Sequence, residues 1–294
     1  VDSSSYDGSQ PSGDPSAEAL AWAARCLGRP VRTVRALSGG SHAATHLLEG
    51  AVLRRFPCGD DSAVREARVL RALDGLGGFA PRLLGVDPEG ELCGLPAVLI
   101  SALPGRAGIT PDDPHAAAAS LGQALARLHS VPLDRVAGFR DGMTAIRSST
   151  GPAAAALSGY AGRLAAQPRV LTHYDYWSGN VLWQGDVLSG VIDWDGASLA
   201  PRGFDIGWCR FDLVLLHGPG TTTVDTFRDA YREASGVVPP DVELWDLHTA
   251  ARSHRDVESW VPNYAGLGRA DLTACEIRRI HTAWTERCLA AVGP

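Results

Sequence analysis

His173, Asp175, Asn180 and Asp193 are the residues whose types and spacing suggest chemistry. The first three sit in the run Val170-Leu-Thr-His-Tyr-Asp-Tyr-Trp-Ser-Gly-Asn-Val-Leu-Trp183, the fourth in Ser189-Gly-Val-Ile-Asp-Trp-Asp195. An apolar, strand-like stretch leads into His173 and Asp175, another begins after Asn180, and Asp193 ends a third. Acids at the ends of short buried strands lie where a cleft opens, because strands fix the backbone while loops reach solvent. Phosphoryl transfer needs a carboxylate that orients a hydroxyl and takes its proton, and oxygen ligands that hold Mg²⁺ against phosphates. The pattern H-x-D-x-x-x-x-N followed by an aspartate supplies that set, with Asp175 as base, Asn180 as neutral ligand and Asp193 as anionic ligand. The bland alternative makes all three turn residues bonded to local backbone. That is the majority reading for an isolated Asp or Asn, and the trio at this spacing argues against it. His173 reads as structural, holding the loop by hydrogen bonds. Asp195 reads as a substrate-facing acid or a solvated turn residue. Asp205 reads as a brace of the loop or a cap of a helix starting near residue 203.

The elements that must position these residues fall into two groups. Residues 16–27 read as a short helix with Ser16 as N-cap, Glu18 in the first turn and Gly28 as stop. Short β-type runs follow at 31–37, 44–49 and 51–56; Ser38-Gly39-Gly40-Ser41 links the first two and Glu49-Gly50 turns into the third. Residues 61–74 predict a helix with Val64, Ala67, Leu70 and Leu73 on one face. Two more strands are expected at 82–86 and 96–101, joined by Asp87-Pro-Glu-Gly90. Beyond residue 105 helices dominate, at 114–129, 221–234, 239–260 and 270–291, with a Pro- and Ala-rich region to 166 and a strand-loop-strand segment over 169–195. The expected plan is α+β and two-lobed: a small antiparallel sheet with one helix in an N-lobe (16–102), then a larger, mainly helical C-lobe (103–294).

Composition narrows the class. With 45% hydrophobic and 20% charged residues over 294 positions, the chain describes ordinary globular protein. A net charge of −6 argues against non-specific attraction to nucleic acid or an anionic membrane. All 27 basic residues are arginine, which forbids any mechanism that needs a lysine. The six cysteines stand singly, without zinc-type spacing, so reduced thiols are expected. Residues 1–15 are polar and read as a disordered tail rather than a secretory signal. No apolar run approaches the roughly 18 residues of a membrane helix, and the expected location is the cytoplasm.

His173-Tyr-Asp-Tyr-Trp-Ser-Gly-Asn180 with Val191-Ile-Asp-Trp-Asp195 resembles the catalytic and metal motifs of the aminoglycoside phosphotransferase and choline kinase-like family, which has a protein-kinase-like fold. The resemblance runs in order from Leu37 to Asp212. It takes in Leu37-Ser-Gly-Gly-Ser41, Val52-Leu-Arg54, Arg65-Glu-Ala-Arg-Val-Leu-Arg-Ala-Leu73, Leu121-Gly-Gln-Ala-Leu-Ala-Arg-Leu-His129 and Pro201-Arg-Gly-Phe-Asp-Ile206. It implies that Ser38, Gly39, Gly40 and Ser41 cover the phosphates, and that the third strand carries a cation paired to a glutamate on the lobe helix. Strand alternation puts Val52 and Arg54 on one face, so Arg54 becomes the phosphate contact and Glu66 its partner. Ile100 to Leu103, with Ala102 between, would meet the base edge. Two departures stand out: Arg54 where lysine is usual, and Tyr174 where glycine is common. The implied activity is Mg²⁺-dependent transfer of the γ-phosphoryl group of ATP or GTP to a hydroxyl of a small molecule. Aminoglycoside-like aminosugars lead, with macrolides, amino alcohols, other sugars and homoserine-like metabolites open. The resemblance places the acceptor between the catalytic loop and C-terminal helices bearing Asp241, Glu243, Asp246, Asp256, Glu258, Trp245 and Trp260. Acids and aromatics there suit an amine, although a solvated helix face over a core explains them too. A non-catalytic nucleotide-binding module and a metal-dependent hydrolase built on His173, Asp175 and Asp193 are the competing functions.

Overall fold

Ser16 accepts a hydrogen bond from the N–H of Ala19 at 3.2 Å and starts α1 (Ala17–Leu27), which ends where Gly28 adopts a left-handed φ of 66°. Such an N-cap contributes about 1 kcal/mol. The structure, a computed structural model, describes residues 13–37, 43–143 and 149–293, which divide into two compact units between Leu103 and Pro104. In the first unit follow β1 (Arg35–Ala36), β2 (Ala44–Leu47), β3 (Ala51–Arg55), α2 (Ser62–Leu73), β4 (Leu83–Asp87) and β5 (Ala97–Ser101). The strands form one antiparallel sheet in the order β1-β2-β3-β5-β4. Ala51 and Leu53 of β3 pack with Ala97 and Leu99 of β5 against Ala19, Trp22 and Ala23 of α1. Alternation sends Arg54 to the other face, where it meets α2.

Of the run expected as a strand over 31–37, Arg35 and Ala36, both exposed, pair with β2, and the N–H of Leu37 donates to the Thr45 carbonyl at 2.9 Å. In α2 the buried stripe is Ala63, Glu66, Ala67, Leu70 and Leu73, while Val64 is 47% exposed. The expected apolar face was therefore rotated, since a polar residue, Glu66, occupies its centre. Asp87 shapes the turn after β4 by accepting from the N–H groups of Glu91, Leu92 and Cys93.

The second unit contains β6 (Arg106–Ala107), α3 (Pro114–Leu128), α4 (Gly151–Leu157), α5 (Ala161–Ala165), β7 (Arg169–Thr172), β8 (Val181–Gln184), β9 (Val187–Val191) and β10 (Ser198–Pro201). Five further helices follow among the described residues: α6 (Gly203–His217), α7 (Thr223–Ser235), α8 (Val242–Ser253), α9 (Val261–Gly266) and α10 (Ala274–Val292). The segment read as strand-loop-strand is shared between two small sheets. β7 pairs antiparallel with β10, whereas β8 and β9 form a hairpin flanked by β6. The helix expected over 239–260 stops at Ser253, and a new one begins at Val261 with Pro262 in its first turn, where no donor is needed. Gly203 and Gly207 let α6 approach α8 closely. A Cβ there would lie 2.0 Å from the Trp245 ring and 2.6 Å from the Trp245 carbonyl oxygen respectively.

Candidate active site

The loop from β7 to β8 places Asp175 and Asn180, and α6 holds that loop. The buried carboxylate of Asp205 accepts the backbone N–H of His173 at 2.7 Å and of Tyr174 at 2.9 Å. It is approached from behind by the ring of His129 at 3.2 Å, whose other nitrogen meets the Tyr231 hydroxyl at 2.9 Å, and Arg202 donates to that hydroxyl at 2.7 Å. Each donor polarises the next, so the chain ends on a well-satisfied carboxylate. Burial lowers the pKa of His129 against the opposing pull of Asp205. Of the two expectations for Asp205, the brace describes its contacts.

His173 is fully buried, and its Nε2–H donates to the Ile192 carbonyl at 2.9 Å. That bond ties the Asp175 loop to the residue before Asp193, while the ring packs on Trp194 at 4.7 Å. Tyr174 takes a φ of 77°, in the region that favours glycine. Its ring stacks on Phe204 at 4.9 Å, and its carbonyl accepts from Arg252 at 3.3 Å. Those contacts offset the backbone cost, of order 1–3 kcal/mol.

Asp175 is half-buried and held at both oxygens. The indole N–H of Trp208 donates to Oδ1 at 2.9 Å, and the Asn180 amide nitrogen to Oδ2 at 3.0 Å and to the Asp175 carbonyl at 2.9 Å. Burial, and then the charge of Asp193, raise the Asp175 pKa above the usual carboxylate range, against Arg252 and Trp208 among others. Asp193 has a φ of 67° and, like Asp195, is partly exposed. The turn leading to Asn180 is anchored by Asp212, which accepts the N–H of Ser178 at 2.9 Å and the hydroxyl of Tyr264 at 2.8 Å.

Sequence reasoning missed Trp208, Asp212 and Arg252. A signal existed for the first two, because Asp205, Trp208 and Asp212 recur at helical spacing along one stripe of an otherwise apolar helix. Arg252 carries no such signal, since it reaches the loop from α8. Its guanidinium lies 4.1 Å from the Trp208 ring, 4.3 Å from Tyr174 and 5.0 Å from Phe204. Three of the five acids on the C-terminal helices have arginine partners: Asp246 bonds Arg210 at 2.9 Å, Asp241 bonds Arg163 at 2.9 Å, and Glu258 pairs with Arg278. Glu243 and Asp256 are exposed.

In the first unit Arg54 meets the fully buried Glu66 at 2.6 Å. Val52 lies two residues before Arg54 on β3, opposite Ile100 of β5. The N–H of Ala102 donates to the Gly50 carbonyl at 3.1 Å. Ser38, Gly39, Gly40 and Ser41 lie outside the described residues. Among the described residues no group of three or more His, Cys, Asp or Glu side chains could hold a metal, which leaves the hydrolase reading without its dense ligand set. No helix of the described residues is long and apolar enough to cross a membrane.

Comparison with known proteins agrees with this architecture. The profile of the phosphotransferase enzyme family matches residues 33–248. A homoserine kinase of Afipia carboxidovorans is 31% identical over 177 residues, covering 53% of this chain and 54% of that protein, so the chain spans about half the length of the curated relatives it matches. The crystal structure of a macrolide 2'-phosphotransferase from Brachybacterium faecium superposes with a TM-score of 0.61 at 19% identity, over 90% of this chain and 97% of that one. A choline/ethanolamine kinase family protein from Mesorhizobium loti gives 0.59 at 18% identity, over 90% and 89%. The two-unit α+β fold and the extent of the profile match show that the chain belongs to the phosphotransferase enzyme family, the aminoglycoside phosphotransferase and choline kinase-like group with the protein-kinase-like fold.

Proposed function

We propose that this protein is a small-molecule kinase that moves the γ-phosphoryl group of ATP or GTP onto a hydroxyl. The observation that carries this reading is the Asp175 carboxylate, fixed between Trp208 and Asn180 in a loop braced by Asp205. Asp175 takes the proton of the acceptor hydroxyl as its oxygen bonds to phosphorus, and the nucleoside diphosphate leaves with the bridging oxygen. Asn180 and Asp193 suit magnesium by their chemistry, because the Asn180 amide nitrogen is spent on Asp175 and leaves its carbonyl oxygen for a cation. When bound, the ion would neutralise charge on the phosphates. Arg54, kept in place by Glu66, would grip the α- and β-phosphates, with Val52 and the 100–102 segment lining the base.

An aminosugar is one reading of the acceptor; macrolide, choline or ethanolamine and homoserine are named for its relatives. The test is a coupled assay of nucleoside diphosphate release with Mg²⁺ and ATP or GTP, across aminoglycosides, macrolides, amino alcohols, sugars and hydroxy amino acids. Release that an acceptor stimulates and that Asp175→Ala abolishes is the expected result. Nucleotide binding without turnover on any acceptor would favour the non-catalytic module; no nucleotide binding would end the kinase reading.

A further inference from the structure

Arg252 is the odd cation of the site. Its guanidinium lies among the rings of Trp208, Tyr174 and Phe204. Among the described residues its one hydrogen bond goes to the Tyr174 carbonyl, at 3.3 Å, and no carboxylate comes within 4.0 Å of it. Every buried acid of the neighbouring helices is engaged elsewhere: Asp246 with Arg210, Asp205 with the catalytic loop, Asp212 with Ser178 and Tyr264. Asp175, Asp205 and Asp256 bear on Arg252 only through space. Aromatic faces recover part of the cost of desolvating a cation, and a planar fork with spare donors is still the geometry that receives a carboxylate bidentately.

The placement tells which substrate would supply that carboxylate. Trp208, which touches Arg252, bonds Oδ1 of Asp175, whereas Asn180 bonds Oδ2. Arg252 is thereby tied to the Oδ1 side of Asp175 and Asn180 to the Oδ2 side, so an acceptor that approaches on the Oδ1 side would meet the cation. Arg140, exposed and 4.9 Å from the Tyr174 ring, adds a second positive charge to the same rim.

We infer that Arg252 binds the acceptor and that the acceptor is a hydroxy acid whose carboxylate pairs with this guanidinium. This rests on the kinase reading of the same site, and it narrows the substrate class to small molecules carrying both a hydroxyl and a carboxylate.

The test uses the full chain with Mg²⁺ and ADP and follows acceptor binding by isothermal calorimetry. L-Serine, L-homoserine, 3-hydroxybutyrate and D-gluconate are titrated beside their primary amides and beside kanamycin. At least one acid should bind about tenfold or more tighter than its amide, and Arg252→Gln should remove that preference while Arg252→Lys keeps part of it. Calorimetry of Mg²⁺-ATP binding and a melting curve for each variant check that the fold and nucleotide site survive. If Mg²⁺-ATP does not bind the wild-type protein, the kinase reading fails first. If Mg²⁺-ATP binds but no acid binds, or amides match acids, or kanamycin outcompetes both, the hydroxy-acid inference alone is overturned. Equal loss of turnover on acids and amides in Arg252→Gln would make Arg252 a contact of the transferred phosphoryl group and overturn it as well.

Discussion

Trp208 donates its indole N–H to Oδ1 of Asp175 at 2.9 Å, and so sets the rotamer of the proposed base from a helix rather than from the catalytic loop. Loss of that bond frees the carboxylate to rotate, and misplacement of a base costs rate more than binding. Trp208→Phe should lower kcat about tenfold and leave the affinity for Mg²⁺-nucleotide unchanged. Steady-state kinetics beside calorimetry would check this, and an unchanged kcat would remove Trp208 from the positioning of Asp175.

Asp193 and Asn180 should separate by charge. Asp193→Ala should abolish the gain in nucleotide affinity that Mg²⁺ brings, while Asn180→Ala should weaken it less, because a carboxylate is the stronger ligand for a hard cation. Asn180→Ala should also lower turnover, since its amide bonds Oδ2 of Asp175 at 3.0 Å. Titrations with and without Mg²⁺ give both numbers.

Arg54 and Glu66 form a buried pair at 2.6 Å. Removing one partner strands the other charge in the interior, at a cost of about 3–5 kcal/mol. Arg54→Met should therefore destabilise the protein more than the double variant with Glu66→Met. Urea unfolding of both singles and the double closes the cycle, and additive losses would show that the pair is not coupled.

Asp205 accepts two backbone N–H groups and faces His129, all buried. Asparagine keeps the shape and turns one acceptor into a donor against an N–H. Asp205→Asn should cost about 2 kcal/mol of stability and should lower turnover, since His173 and Tyr174 directly precede Asp175. A melting curve and a rate measurement on the same sample test both.

Acid should weaken the fold through histidines that are buried neutral. Burial pushes the pKa of His248 down to about 3 and that of His281 down to about 4. The unfolded chain takes up these protons near pH 6.5, so it binds more protons than the folded chain between about pH 6.5 and 4. Stability is fully present above that window and falls as pH drops through it, by about 3 kcal/mol per pH unit once both sites contribute. Urea midpoints at pH 7.5 and 5.5 should show the decline, and His248→Leu should make it shallower.

Much of this was legible from order and period alone. The antiparallel unit followed by a helical unit came from the change from alternating to 3.6-residue patterns, and α1 came from Ser16 and Gly28 at its ends. The bringing together of Asp175 and Asn180 was readable because both lie in one short loop between two apolar strands. Features that depend on a partner element were less legible. Val64 was placed on the buried face of α2 because nothing in the sequence says that Glu66 points inward to Arg54. The pairing of β7 with β10 was missed because strand pairing is non-local, and sequence neighbours such as β8 compete for it.

The sequence by itself determined the residue types, their order and the local periods, and with these the family, the two-unit plan and the set Asp175, Asn180 and Asp193. Only the tertiary structure decided what surrounds that set, with Trp208 on one oxygen and the Arg252 cation beside Tyr174, and that Asp205 bonds the loop rather than caps a helix. It also decided that three of the acids which looked ready for an amine, Asp241, Asp246 and Glu258, are held by arginines. The physical reason is that local pattern reports which way a backbone can run, whereas charge and burial at a site depend on side chains that arrive from distant elements.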